Sequence, residues 1–222
     1  MLRHTTNDSD VDDFAEQRRR MVEGQLRGRG IGDEPVLAAM GKVPREQFIP
    51  EHRRRFAYDD SALSIGDGQT ISQPYMVAKM LELLACRPEH RVLEVGAGSG
   101  YQAALLGELA AEVYAIEIIK TLAERARQVL SCLGYENVSI VVGDGTLGYP
   151  KAAAYDRIIV AAAAPEIPPP LAEQLAEGGR LVAPVGSRGV QTCILAEKED
   201  GELLIEKSIG CVFVPLVGEH GW

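Results

Sequence analysis

RVLEVGAGSGYQAA, residues 91–104, decides the fold, together with Glu117 downstream. Val92, Leu93 and Val95 make a short apolar run of the kind a buried parallel strand requires. Gly96, Gly98 and Gly100 follow at alternate positions. Without Cβ atoms they permit a sharp turn and let the backbone come close to a ligand. Residues 101–110 then read as an Ala/Leu-rich helix whose N-terminus offers free N–H groups to an anionic ligand group. Residues 113–117, VYAIE, read as a second strand ending in an acid, where a doubly wound fold grips ribose hydroxyls. Together they describe a nucleoside-cofactor site.

The spacing selects among cofactors. A dinucleotide fingerprint is G-x-G-x-x-G, and here Tyr101 stands where its last glycine belongs. The chain's G-x-G-x-G resembles the S-adenosylmethionine site of class I methyltransferases, in which the turn meets the methionine end and the acid holds the ribose.

A chain of 222 residues suits one α/β domain with some elaboration. Its formal net charge of −9 disfavours nucleic acid or an anionic membrane surface as partner, while leaving an acidic peptide possible. Cys86, Cys132, Cys193 and Cys211 form no CxxC pair, so neither a metal site nor a disulfide framework is expected. No signal peptide is recognisable and the apolar runs are too short to span a bilayer. These features predict a cytoplasmic protein.

In chain order, residues 1–13 are polar and acid-rich and read as a disordered lead-in. A helix is predicted over 14–29, and a second over 34–40 behind an Asp33 cap. The Arg18–Arg20 and Arg53–Arg55 clusters read as solvated faces. SIGDGQTISQPYMVA, residues 64–78, crowds Gln69, Thr70, Ser72 and Gln73 just before a helix over 75–86. By composition that run serves equally as a capping loop or as the lining of a substrate pocket. A helix is expected over 120–133 and a strand over 138–142, leading to Gly143-Asp144-Gly145. Asp144 falls at the carboxyl end of a strand, where open α/β sheets bind ligands, although an Asp-Gly turn has the same signature. Strands over 157–160, 180–185, 192–197 and 203–214 follow, with a helix at 171–177, a Gly178-Gly179 turn and an Asp200-Gly201 hairpin. The prediction is an α/β fold: a doubly wound, mostly parallel sheet of about seven strands, an N-terminal helical region and a C-terminal β-hairpin. Residues 14–222 form one unit, with helices and a substrate loop over 14–88, a cofactor-binding core over 89–200 and a final strand and tail over 201–222.

From about Phe14 onward the chain resembles the protein-L-isoaspartate O-methyltransferases. The blocks that carry the match are VPREQFIP, GDGQTISQPYMVAKM, RVLEVGAGSGYQAA, YDRIIVAAAAPEIPPPL with EGGRLVAPVG, and CVFVPLVG. The resemblance implies a class I, Rossmann-like fold and S-adenosyl-L-methionine as cofactor. It implies cofactor contacts at Ser72, Gly96, Gly98, Glu117, Asp144 and Gly145, and makes Ser72 the catalytic or substrate-orienting residue. The substrate would meet Gln69, Thr70, Ile71 and Ser72, and then Val214 and Leu216 in the FVPL segment, which on composition alone reads equally as a buried strand. The substrates implied are isoaspartyl-containing peptides and proteins, met by a monomer. Ala97 and Ala161 replace threonines common in the family. Asp67 is a less usual residue there, and its charge is expected to oppose a carboxylate substrate.

The implied chemistry asks little of side chains. A carboxylate with a pKa near ~4 is already ionised at neutral pH, so methylation needs no general base. Alignment of the reacting atoms supplies up to roughly 7–11 kcal/mol. The rival readings are a class I methyltransferase acting on another carboxylate or small molecule, and a cofactor-binding module without catalysis.

Overall fold

The computed structural model describes residues 8–222, with side chains from residue 13 onward. The first seven residues of the expected lead-in lie outside the described residues, but the rest of that lead-in is helix. Helix α1 spans Asp8–Arg20 and runs on through a wide π-type turn at Met21–Leu26 and a 3-10 turn at Arg27–Arg29. Gly30, at φ 90°, stops it. In α1, Phe14 packs against the core and near Tyr58, and Glu16 pairs with Arg19 and Arg20, one turn on. Its extension buries Met21, Val22 and Leu26. Helix α2, Glu34–Lys42, starts at Asp33, whose side chain accepts the Val36 N–H at 2.9 Å.

Strands β1 (Leu63–Gly66) and β2 (Gln69–Ile71) make an antiparallel hairpin. This corrects the expectation of a loop over 64–73. Asp67 and Gly68 turn it with φ of 53° and 73°, the left-handed pair that suits a two-residue connection. Helix α3, Pro74–Leu84, follows directly.

The main sheet contains β3 (Arg91–Val95), β4 (Glu112–Glu117), β5 (Val138–Val142), β6 (Tyr155–Val160), β7 (Leu175–Gly186), β8 (Gln191–Glu199) and β9 (Glu202–Cys211), in the order β5-β4-β3-β6-β7-β8-β9. The first five pair in parallel and the last two antiparallel. Helices α4 (Tyr101–Leu109), α5 (Lys120–Cys132) and α6 (Pro169–Gln174) complete the layers. Side chains of β3 alternate between two cores. Val92 joins the one built with α2, α3, α4 and α5, and Leu93 and Val95 join the one under α6. The N-terminal helices thus share a core with the sheet.

Two further expectations are corrected. α6 ends at Gln174, and β7 passes through Gly178-Gly179 as an irregular strand that pairs Leu175 with Tyr155 before regaining register at Arg180. β9 ends at Cys211, after which the chain leaves the hairpin and forms a parallel bridge from Pro215 to Ala163. Among the described residues no helix is long and apolar enough to cross a membrane.

Candidate active site

The sheet order reverses between β3 and β6, so the chain leaves their carboxyl ends in opposite directions and opens a crevice. A cavity of about 190 Å³ lies there, and Val95, Gly96, Gly98, Glu117, Gly145 and Ala161 are among its lining residues. The turn after β3 uses left-handed backbone at Gly96 (φ 89°), Gly98 (53°) and Gly100 (87°), which explains the alternate glycines. Gly96 N and Ala97 N donate to the Ile116 carbonyl at 2.8 and 3.0 Å, which pins the turn to β4. A Cβ at Gly100 would stand 3.0 Å from Ala126 of α5.

Glu117 closes the turn from the end of β4. Its two oxygens accept the Gly98 N–H at 2.7 Å and the Ile119 N–H at 2.9 Å. Each oxygen keeps a second acceptor position, and the carboxylate borders the cavity although only 5% exposed. Among the described residues no lysine, arginine or histidine lines this cavity. A pyrophosphate would meet a carboxylate there without a cation, whereas a ribose diol beside Glu117 and a purine between Val95, Ile116 and Ala162 suit what is present. The cavity fits an adenosyl group carrying positive charge.

The hairpin covers one side of this cavity with Gln69 and Thr70, and residues 214–217 wall another. The hairpin is tethered from its tip, where Asp67 Oδ2 accepts Arg125 Nη2 at 2.5 Å and Thr121 Oγ1 at 3.2 Å. Asp67 therefore faces a cation of α5, which offsets its charge. A second cavity, of about 50 Å³, lies beyond Thr70, Ala161 and Val214, which line both. Ser72, Met76 and Phe213 belong to this second space.

Most of the predicted site residues meet here, with three differences. Ser72 lines the second cavity and not the first. Ile71 is 5% exposed and packs into the core beneath the hairpin, because β2 alternates its side chains and Thr70 takes the cavity face. Asp144 lines neither cavity. Its Oδ1 accepts Thr146 N and Oγ1 at 2.8 and 2.7 Å, and its Oδ2 accepts Glu219 N at 2.8 Å. Burial acts to raise the Asp144 pKa, but the bonds from Thr146 and Glu219 outweigh it and leave the carboxyl below its ordinary value. Asp144 thus ties the tail that follows residues 214–217 to the end of β5.

The sequence reading passed over Glu94 and Arg45. Glu94, inside β3, is fully buried and neither oxygen has a hydrogen-bond partner among the described residues. Burial lifts its pKa well above the carboxylate range. One acid in the otherwise apolar run over 92–95, VLEV, was the available signal. Arg45 stands in the VPREQFIP block, which carried the family resemblance and no role of its own.

The comparisons agree with this geometry. A model of the protein-L-isoaspartate(D-aspartate) O-methyltransferase family matches residues 16–221. The chain belongs to that family. A protein-L-isoaspartate O-methyltransferase of Methanoculleus marisnigri is 54% identical over 96% of this chain and 97% of its own. One from Petrotoga mobilis is 53% identical over 95% of this chain and 100% of its own. Among solved structures, a protein-L-isoaspartate O-methyltransferase superposes with a TM-score of 0.84 at 31% identity, covering 92% of this chain and 67% of that one. A Plasmodium falciparum beta-aspartate methyltransferase in complex with S-adenosyl-L-homocysteine has a TM-score of 0.78 at 26% identity, over 90% of this chain and 98% of that one. The sheet is that of a class I methyltransferase, and S-adenosylmethionine is the cofactor of this family member.

Proposed function

We propose that this family member methylates the free carboxylate of L-isoaspartyl residues in damaged proteins and peptides, and that Ser72 orients that carboxylate. One observation carries the reading: the Glu117 cavity and the Ser72 cavity share Thr70, Ala161 and Val214 as lining. When bound, S-adenosylmethionine supplies an electrophilic methyl on a sulfonium. Glu117 would hold the ribose, Gly96, Gly98 and Gly145 would leave room for the backbone to approach, and Val95 and Ile116 would flank the base. The Ser72 hydroxyl makes no hydrogen bond to another described residue, so its proton is available to an acceptor oxygen. Among the described residues neither cavity presents a histidine or lysine, in keeping with a nucleophile that is ionised before it arrives. Here the chain's contribution is orientation and partial exclusion of water.

The peptide would run along residues 213–216, a strip pinned on one side by Ala163, whose N–H donates to Val214 O at 2.8 Å and whose carbonyl accepts Leu216 N at 2.7 Å. Contacts of that kind read main chain more than side chains, as a backbone defect requires. The ester formed closes to a succinimide as the following backbone nitrogen attacks the ester carbonyl and displaces methanol, and addition of water to the ring returns part of the material as ordinary aspartate. Residues 14–222 act as one unit in this reading, as a monomer in the cytoplasm. The net charge of −9 supports a peptide substrate over nucleic acid.

The test is transfer of labelled methyl from S-adenosylmethionine to two peptides that differ only in aspartyl against isoaspartyl linkage. Base-labile label on the isoaspartyl peptide alone is expected. Equal labelling of both, or of neither while the cofactor still binds, overturns the substrate assignment.

A further inference from the structure

Arg45 lies in a 3-10 turn, Arg45–Phe48, between α2 and the hairpin, and none of its surface is exposed. A guanidinium removed from water needs compensation, which a carboxylate usually provides. Arg45 bonds to carbonyls instead. Its Nε donates to Ala57 O at 2.7 Å and its Nη2 to Ser72 O at 2.7 Å. The guanidinium carbon stands 4.8 Å from the centre of the Tyr101 ring, while Nη1 is buried with no partner among the described residues. Tyr101 is the first residue of α4, directly behind the glycine turn. Phe48, from the same 3-10 turn as Arg45, meets the Tyr101 ring edge-on at 5.6 Å. One rigid planar group therefore touches the back of both halves of the site: Ser72 by a charge-assisted hydrogen bond and the glycine turn's helix by a ring contact.

We propose that Arg45 is a positioning residue that sets the place of Ser72 relative to the glycine turn by holding the Ser72 carbonyl. This rests on the reading of Ser72 given above. A neutral side chain would fill the space without fixing the carbonyl. A lysine would keep the charge but lose the fork that reaches Ala57 and Ser72 together.

The experiment is a double-mutant cycle of Arg45→Lys and Ser72→Ala, read as kcat and KM for an isoaspartyl peptide, with S-adenosylhomocysteine affinity measured by calorimetry. Arg45→Lys alone is expected to lower kcat by ~10–100-fold while the dissociation constant for S-adenosylhomocysteine stays within ~3-fold. In the Ser72→Ala background the same change should cost under ~3-fold, because the hydroxyl it served is gone. Equal losses in both backgrounds overturn the proposal and leave Arg45 a support of the fold. A Ser72→Ala enzyme of full activity overturns the reading of Ser72 itself, so the single variant separates that failure from the other. Circular dichroism checks folding, and Arg45→Gln, a shorter donor, takes the place of Arg45→Lys in the cycle if the lysine variant does not fold.

Discussion

The glycine turn and the β1–β2 hairpin face each other across one cavity and are held in opposite ways. The turn is fixed from below by the parallel sheet: Gly96 and Ala97 bond to Ile116, and the buried Glu117 carboxylate clasps Gly98 and Ile119. The hairpin stands outside that sheet. It is held at its tip by Asp67 and Arg125, whose side chains are 38% and 52% exposed, and at its base by Arg45. Backbone geometry presets the donor side, and side-chain tethers tune the acceptor side. Substitutions in the two regions should therefore fail differently.

The largest effect belongs to the acceptor side. Ser72→Ala is expected to lower kcat by ~10–1000-fold with S-adenosylhomocysteine affinity nearly unchanged, measured by steady-state kinetics and calorimetry. Glu117→Gln should show the converse. The amide keeps one acceptor oxygen and turns an NH2 toward the other N–H, so either Gly98 or Ile119 loses its partner, and the dissociation constant should rise by ~10–100-fold while kcat at saturating donor changes little. If both variants damaged kcat and affinity alike, the contrast between the two regions would be broken.

Two effects on stability sharpen it. A Cβ at Gly145 would stand 2.5 Å from Val95 Cγ1. Gly145→Ala should therefore cost ~1–3 kcal/mol, seen in urea unfolding, through overpacking under the donor cavity. Glu94 brings a pH dependence. It stays protonated when folded, because burial raises its pKa, and ionises when unfolded above ~4.3. The unfolded state then binds fewer protons, so this group takes stability away as pH rises from that value toward its folded pKa. Glu94→Gln should flatten that part of the stability–pH curve, and an unchanged slope between pH 5 and 8 would count against a buried neutral carboxyl. The smallest effect is at the hairpin tip. Asp67→Asn should raise the peptide KM by no more than about threefold, and the difference from the parent should shrink in high salt, as for an exposed ion pair.

The same contrast governs what could be read from the sequence. The donor side was legible because β3, β4 and β5 are apolar runs bounded by glycine or acid, and the 138–142 strand was placed at its observed limits. The acceptor side was half legible. The crowd of polar groups at Gln69, Thr70, Ser72 and Gln73 read equally as a capping loop or a pocket lining, and β2 is three residues long, too short for alternation to register as a strand. The start of α1 before Phe14 was not legible because residues 8–13, DSDVDD, are a polar, acid-rich run without apolar periodicity. Asp144 was legible as a candidate contact from its place at a strand end. Its bonds from Thr146 and from Glu219, 75 residues on, were not, because no local pattern encodes that pairing. Arg45 was invisible for the same reason, since its partners Ala57 and Ser72 offer only main-chain oxygens.

Thr70 belongs to both cavities and sits on the hairpin strand that leads to Ser72. Any shift of that strand on filling one cavity is felt in the other. Donor and peptide are then linked ligands, and whatever factor one applies to the other's affinity must be returned unchanged. A peptide that settled the hairpin would also slow the escape of the spent donor, and the order in which the two products depart would then enter the rate of turnover.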